Sequence, residues 1–129
     1  MKLLLFCLMA IPLIAGIFSR WRKKEEPDLD RLVLDQLKQA GSDLTKPHDI
    51  DFFLYFPTEQ AANEAAKEID LEVDELKVEL GADEMNWLCF GTKSMVPEPD
   101  ELLRLRERFD QIANKHNGQN DGWATGVVN

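Results

Sequence analysis

The sequence predicts an α+β domain in which one helix precedes the order β-α-β-β-α-β. Three observations lead there. Asp49–Pro57 (DIDFFLYFP) is the densest β-forming stretch of the chain, rich in the aromatic and branched residues that suit a pleated, largely buried surface. Directly after it, Thr58–Ile69 (TEQAANEAAKEI) is Ala-rich and strongly helix-forming. Two further β-like runs then lead into a long amphipathic helix and a last short apolar run.

Taken in order, Glu25–Asp28 is a charged, proline-containing hinge and a natural boundary. DLDRLVLDQLKQAG follows, with Leu29, Leu32, Val33, Leu37 and Ala40 at helical spacing and Gly41 placed to end the helix. Ser42–Pro47 reads as a loop into the aromatic strand. Pro57 stops that strand, and Thr58 can cap the next helix, without a capping box because Ala61 stands where Glu or Gln is needed. Ala61, Ala62, Ala65 and Ala66 let this helix sit close to a sheet. Leu76–Leu80 is expected to be a strand with Lys77 and Glu79 solvated, and Gly81-Ala82-Asp83 a hairpin turn. Met85–Val96 supplies the third strand region, with Trp87, Leu88, Cys89 and Phe90 buried and Gly91 marking a close approach or a bulge. Between Pro97 and Gly118 the longest helix carries one apolar stripe, Leu102, Leu105, Phe109, Ile112 and Ala113. Asp121-Gly122 favours a tight turn, after which Trp123 enters a closing strand, where it can fill the core or anchor a partner. The order is the split βαβ, ferredoxin-like pattern, two helices on one face of four antiparallel strands, with the first helix as an extra element.

Two units are expected, residues 1–24 and residues 25–129. After Lys2, the sixteen residues Leu3–Phe18 carry no charge, and Ser19 then leads into Arg20, Trp21, Arg22, Lys23 and Lys24. Sixteen is short of the ~20 residues of a comfortable membrane span, yet Trp and the basic residues suit a membrane boundary. An uncleaved membrane-anchor helix is the favoured reading. The positive cluster after it would put the body in the cytoplasm. A cleavable signal peptide, with export, and a peripheral amphipathic element stay open. The formal charge is −9, and residues 25–129 hold all 24 acids against 10 of the bases, a net −14. That balance disfavours direct nucleic-acid binding and suits a basic protein partner, or simply solubility.

Chemistry is sparse. Cys7 and Cys89 do not suggest a disulfide, and Cys89 reads as a small core residue. His48 and His116 have no Cys or His neighbours at metal-ligand spacing, so each reads as a polar surface or helix-end residue. Ser42 and Ser94 lack a nucleophile-elbow context, and the Gly118–Gly122 stretch is not a phosphate loop. Arg104, Arg106 and Arg108 read as a salt-bridged helix face rather than an RNA patch. No catalytic residue, metal site or cofactor site is expected.

The block GSDLTKPHDIDFFLYFPTEQAANEAA, the helix ERFDQIANKHNG and the closing NDGWATG, in that order, resemble the regulator of ribonuclease E activity B family over roughly residues 28–128. The resemblance implies a ferredoxin-like fold and a non-enzymatic protein that binds the endoribonuclease ribonuclease E and inhibits it. Two departures are the membrane-like N-terminus and the lack, up to Asn129, of the long acidic C-terminal tail of well-known members, which puts inhibition in doubt. The resemblance assigns no contact residues. From charge and composition, the partner contacts expected are Asp49, Asp51, Asp121, Gly122 and Trp123. A second reading is a membrane-anchored orphan domain of the same fold, binding a different protein or a small ligand. Polar, charged residues on the outer sheet face would favour protein contact, and an apolar cleft a ligand.

Overall fold

The computed structural model describes residues 30–129. The expected membrane segment and its flank, Arg20, Trp21, Arg22, Lys23 and Lys24, lie outside them. Among the described residues no helix is long and apolar enough to cross a membrane. Seven elements follow one another: helix α1 (30–39), β1 (His48–Phe56), α2 (Glu59–Ile69), β2 (Glu75–Leu80), β3 (Trp87–Met95), α3 (Pro99–Lys115) and β4 (Gln119–Thr125). The four strands form one antiparallel sheet in the order β2-β3-β1-β4, so the aromatic strand is central.

Each helix ends as its local chemistry dictates. Gly41, at φ +99°, closes α1 in a Schellman arrangement: the Ser42 N–H reaches the Leu37 carbonyl and the Gly41 N–H reaches that of Lys38. Thr58 caps α2, its hydroxyl accepting from the Ala61 N–H at 3.1 Å. The same Schellman bonds close α3, with Asn117 in the left-handed conformation at φ +61°. Gly118 serves a different need there. A Cβ on it would come within 2.4 Å of the Phe56 ring.

The core lies between the sheet and the helical layer. His48, Ile50, Phe52, Leu54 and Phe56 alternate inward along β1. They meet Ala62, Ala65 and Ile69 of α2, the whole expected stripe of α3, and Leu34 and Leu37 of α1. Phe52 and Phe109 meet edge to face at 5.0 Å. Cys89 is fully buried, its thiol donating to the Ala62 carbonyl, and burial pushes its pKa up to about 12, so it is an inert core residue.

The structure decides one open alternative, at Gly91, and differs from the sequence expectations in three details. The third strand keeps register past Gly91, which is a close approach: a Cβ there would touch Val73 at 3.0 Å. The β2–β3 connection is a longer loop, 81–86, in which Asp83 accepts from the backbone N–H groups of Met85 and Asn86. Asp121-Gly122 is no turn but lies inside β4, which begins at Gln119. The register jumps there from Trp123 opposite Phe52 to Asn120 opposite Leu54, a bulge that Gly122 allows at φ +99°. His48, finally, is a core residue, 1% exposed, because it stands in the inward phase of β1.

Candidate partner-binding face

Outward positions of the strands form the opposite face of the sheet. Register puts Glu75, Thr92, Asp51 and Ala124 in one row across it. Lys77, Phe90 and Phe53 form the next row, which ends at the β4 bulge, and Glu79, Leu88, Tyr55 and Gln119 the third. All three helices send their buried residues into the core on the other side, so no helix among the described residues covers this face. At its centre Phe53 and Phe90 stack across β1 and β3, with centroids 5.1 Å apart and planes 25° from parallel.

Carboxylates surround this apolar centre. Asp49 is exposed at the start of β1, and Asp51 accepts from the Thr92 hydroxyl at 2.9 Å. Glu75 and Glu79 are exposed on β2. Asp121 stands on the bulge beside Tyr55. Burial alone pushes its carboxyl up to about 6, and among the described residues no donor or cation offsets that. The Tyr55 phenol is raised in turn, first by burial and then by the charges of Asp121 and Asp83. None of Asp49, Asp51, Glu75, Glu79 and Asp121 is ion-paired among the described residues, and Lys77 is the one base at an outward position of β1–β3.

The helical side is the reverse. Arg108 lies between Glu68 and Glu72 at 3.5 and 3.6 Å, Arg104 bonds Glu72 and Glu101, and Lys115 and His116 close on Glu68. His116, hydrogen-bonded to Glu68, is the main reason the Glu68 carboxyl lies below its usual range. Arg106 is spent inside: with the Trp123 indole N–H it holds Asp30, whose other oxygen has no hydrogen-bond partner among the described residues. Burial outweighs both partners and raises the Asp30 pKa. The three arginines are thus matched by the chain's own carboxylates, as the alternating charges imply.

One constellation imitates a catalytic pair. Ser42 Oγ lies 2.6 Å from His48 Nε2. His48 Nδ1 is 2.8 Å from the Lys46 carbonyl, which can only accept, so Nδ1 carries a proton and donates there. Both side chains are buried, and the Val128 N–H donates to Ser42 Oγ at 3.0 Å. This is a tie between the Gly-Ser-Asp loop, the start of β1 and the C-terminal residues, not a nucleophile. Among the described residues no group of His, Cys, Asp and Glu could hold a metal ion.

Of the five expected contact residues, Asp49, Asp51 and the Asp121-Gly122 bulge share the open face. Trp123 does not: it faces the helices, 9% exposed, with its indole on Asp30. The residues the sequence left unmarked are Phe53, Tyr55, Leu88 and Phe90, all of which read as core.

Fold and face define a ferredoxin-like α+β sandwich with one open, aromatic, acid-edged sheet face. The chain belongs to the family described as regulator of ribonuclease activity B, whose model matches residues 28–125. No curated protein matches it.

Proposed function

We propose that the domain is a non-catalytic regulator that binds an endoribonuclease of the ribonuclease E kind through the open face of its sheet and slows RNA cleavage. One observation carries the choice of surface: the stacked Phe53–Phe90 pair lies on the side away from the helices, ringed by carboxylates without ion pairs among the described residues. An apolar centre with a charged rim is the anatomy of a protein interface. Single-signed charge on the rim speeds encounter with a basic surface. Phosphate would be repelled there, which favours contact with the enzyme rather than with its RNA.

The N-terminal segment fits the same reading as an anchor. Its uncharged run and the basic flank from Arg20 to Lys24 would hold the acidic body at the cytoplasmic side of a membrane and raise its local concentration beside a membrane-associated enzyme. Cell fractionation with and without residues 1–24 checks this: the full chain sediments with membranes and the shortened one does not.

The test of the main reading is a cleavage assay with ribonuclease E and the full-length chain in mild detergent. Saturable inhibition that fades with salt, and that Phe90→Ser removes without unfolding the domain, is the expected outcome. Undiminished inhibition by Phe90→Ser would place the contact elsewhere.

A further inference from the structure

The stacked rings divide the open face unequally. Phe90 covers one face of Phe53, so the other face of Phe53 is turned along its row toward β4. Opposite it stands the bulge. There β4 presents Gly122, which has no side chain, and the half-buried carboxylate of Asp121, with Tyr55 two residues along β1. On the far side of the pair Phe90 faces Lys77, whose ammonium disfavours a second cation. The result is a slot with one aromatic wall and one carboxylate, where Gly122 adds no side chain.

We propose that this slot takes an arginine side chain from an extended basic segment of the partner protein, its guanidinium laid on the outward face of Phe53 and paired with Asp121. This rests on the reading of the open face as the partner surface and deepens it. A guanidinium is planar, weakly hydrated and able to stack and to donate to a carboxylate at the same time; an ammonium is a strongly hydrated point charge. A nucleobase could stack on Phe53, but its phosphates would meet Asp49, Asp51 and Asp121. A second copy of this chain would bring the same acids against one another. Asp121 also bears a desolvation cost in the free domain that an arriving cation removes.

The experiment is a calorimetric titration of the full-length chain in detergent micelles with three synthetic peptides of one length, carrying arginine, lysine or glutamine at the same positions. The arginine peptide should bind about tenfold tighter than the lysine peptide, and the glutamine peptide should not bind. Asp121→Asn and Phe53→Leu should each weaken the arginine peptide by about tenfold, since each removes one side of a desolvated pair. Asp35→Asn, on the exposed side of α1, should leave it unchanged. Asp121→Asn is nearly isosteric, so its result does not depend on a refolded core. Equal binding of the arginine and lysine peptides, or indifference to Asp121→Asn, would overturn the slot and leave only diffuse attraction. Saturable binding of a single-stranded RNA in place of the peptides would overturn it as well. The same variants against the ribonuclease separate the two proposals. If Phe90→Ser abolishes that binding and Asp121→Asn does not, the face stands and the slot falls. If the ribonuclease is not bound at all, the regulator reading falls, and the peptides still decide the slot.

Discussion

Phe52 and Phe53 are neighbours in the chain and opposite in situation. Phe52 points to the helices, meets Phe109 edge to face and is 2% exposed. Phe53 points the other way and stacks on Phe90, with no helix over it among the described residues. The acids divide along the same line. On the helical side Glu68, Glu72 and Glu101 are paired with Arg104, Arg108, Lys115 and His116, whereas the acids of the open face have no ion pair among the described residues. One side of the sheet is satisfied by the chain itself. The other holds apolar surface and charge that the described residues leave unmatched, and such an excess supports the proposed interaction surface.

Mutations can break or sharpen this contrast. Phe109→Ala removes the ring that Phe52 packs against and should cost about 3–5 kcal/mol in chemical denaturation. Phe53→Ala should cost well under half of that and act on binding instead. Similar losses for the two would erase the distinction between the faces. Arg106→Met leaves the Asp30 carboxylate buried beside Trp123 without its cation, and a loss of about 3–5 kcal/mol is expected.

Asp121→Asn should act in the opposite sense. Burial raises the native carboxyl from 3.8 to about 6. The native state therefore keeps its proton over a window in which the unfolded chain has already lost it, and stability present below 3.8 is lost as the pH climbs through 6. The variant should match the parent at about pH 4 and exceed it by about 1–2 kcal/mol at about pH 7.5, after allowance for the side chain's partial exposure. Equal stabilities at both pH values would mean that Asp121 bears no desolvation cost. Arg104→Gln, at an exposed pair, should shift stability by less than about 1 kcal/mol. A larger shift would show the outer ion pairs to be structural.

Much of the architecture was legible from local pattern. The Ala-rich helix, the α3 stripe and the caps at Gly41 and Thr58 are short-range signals, and the structure places them as expected. The two faces of β1 were not legible, because a run of aromatics hides the period of two that would sort them. Only Asp49 and Asp51, at its polar start, betrayed the outward phase. The same phase would have put His48 inside with Ile50, had the alternation been weighed above the polarity of histidine. Asp121-Gly122 looks identical in sequence whether it makes a turn or a bulge, and only pairing with Phe52 and Leu54 decides. The Trp123–Asp30 bond joins residues 93 apart, beyond the reach of any local signal.

Hydroxyl-radical footprinting of the full-length chain with and without the ribonuclease reads side chains one at a time and tests the central claim most directly. Protection of Phe53, Tyr55, Leu88 and Phe90 is predicted, with exposed Leu32 on α1 and Leu71 after α2 unchanged. Protection confined to the helical side, with the Phe53–Phe90 pair as reactive as in the free protein, would contradict it.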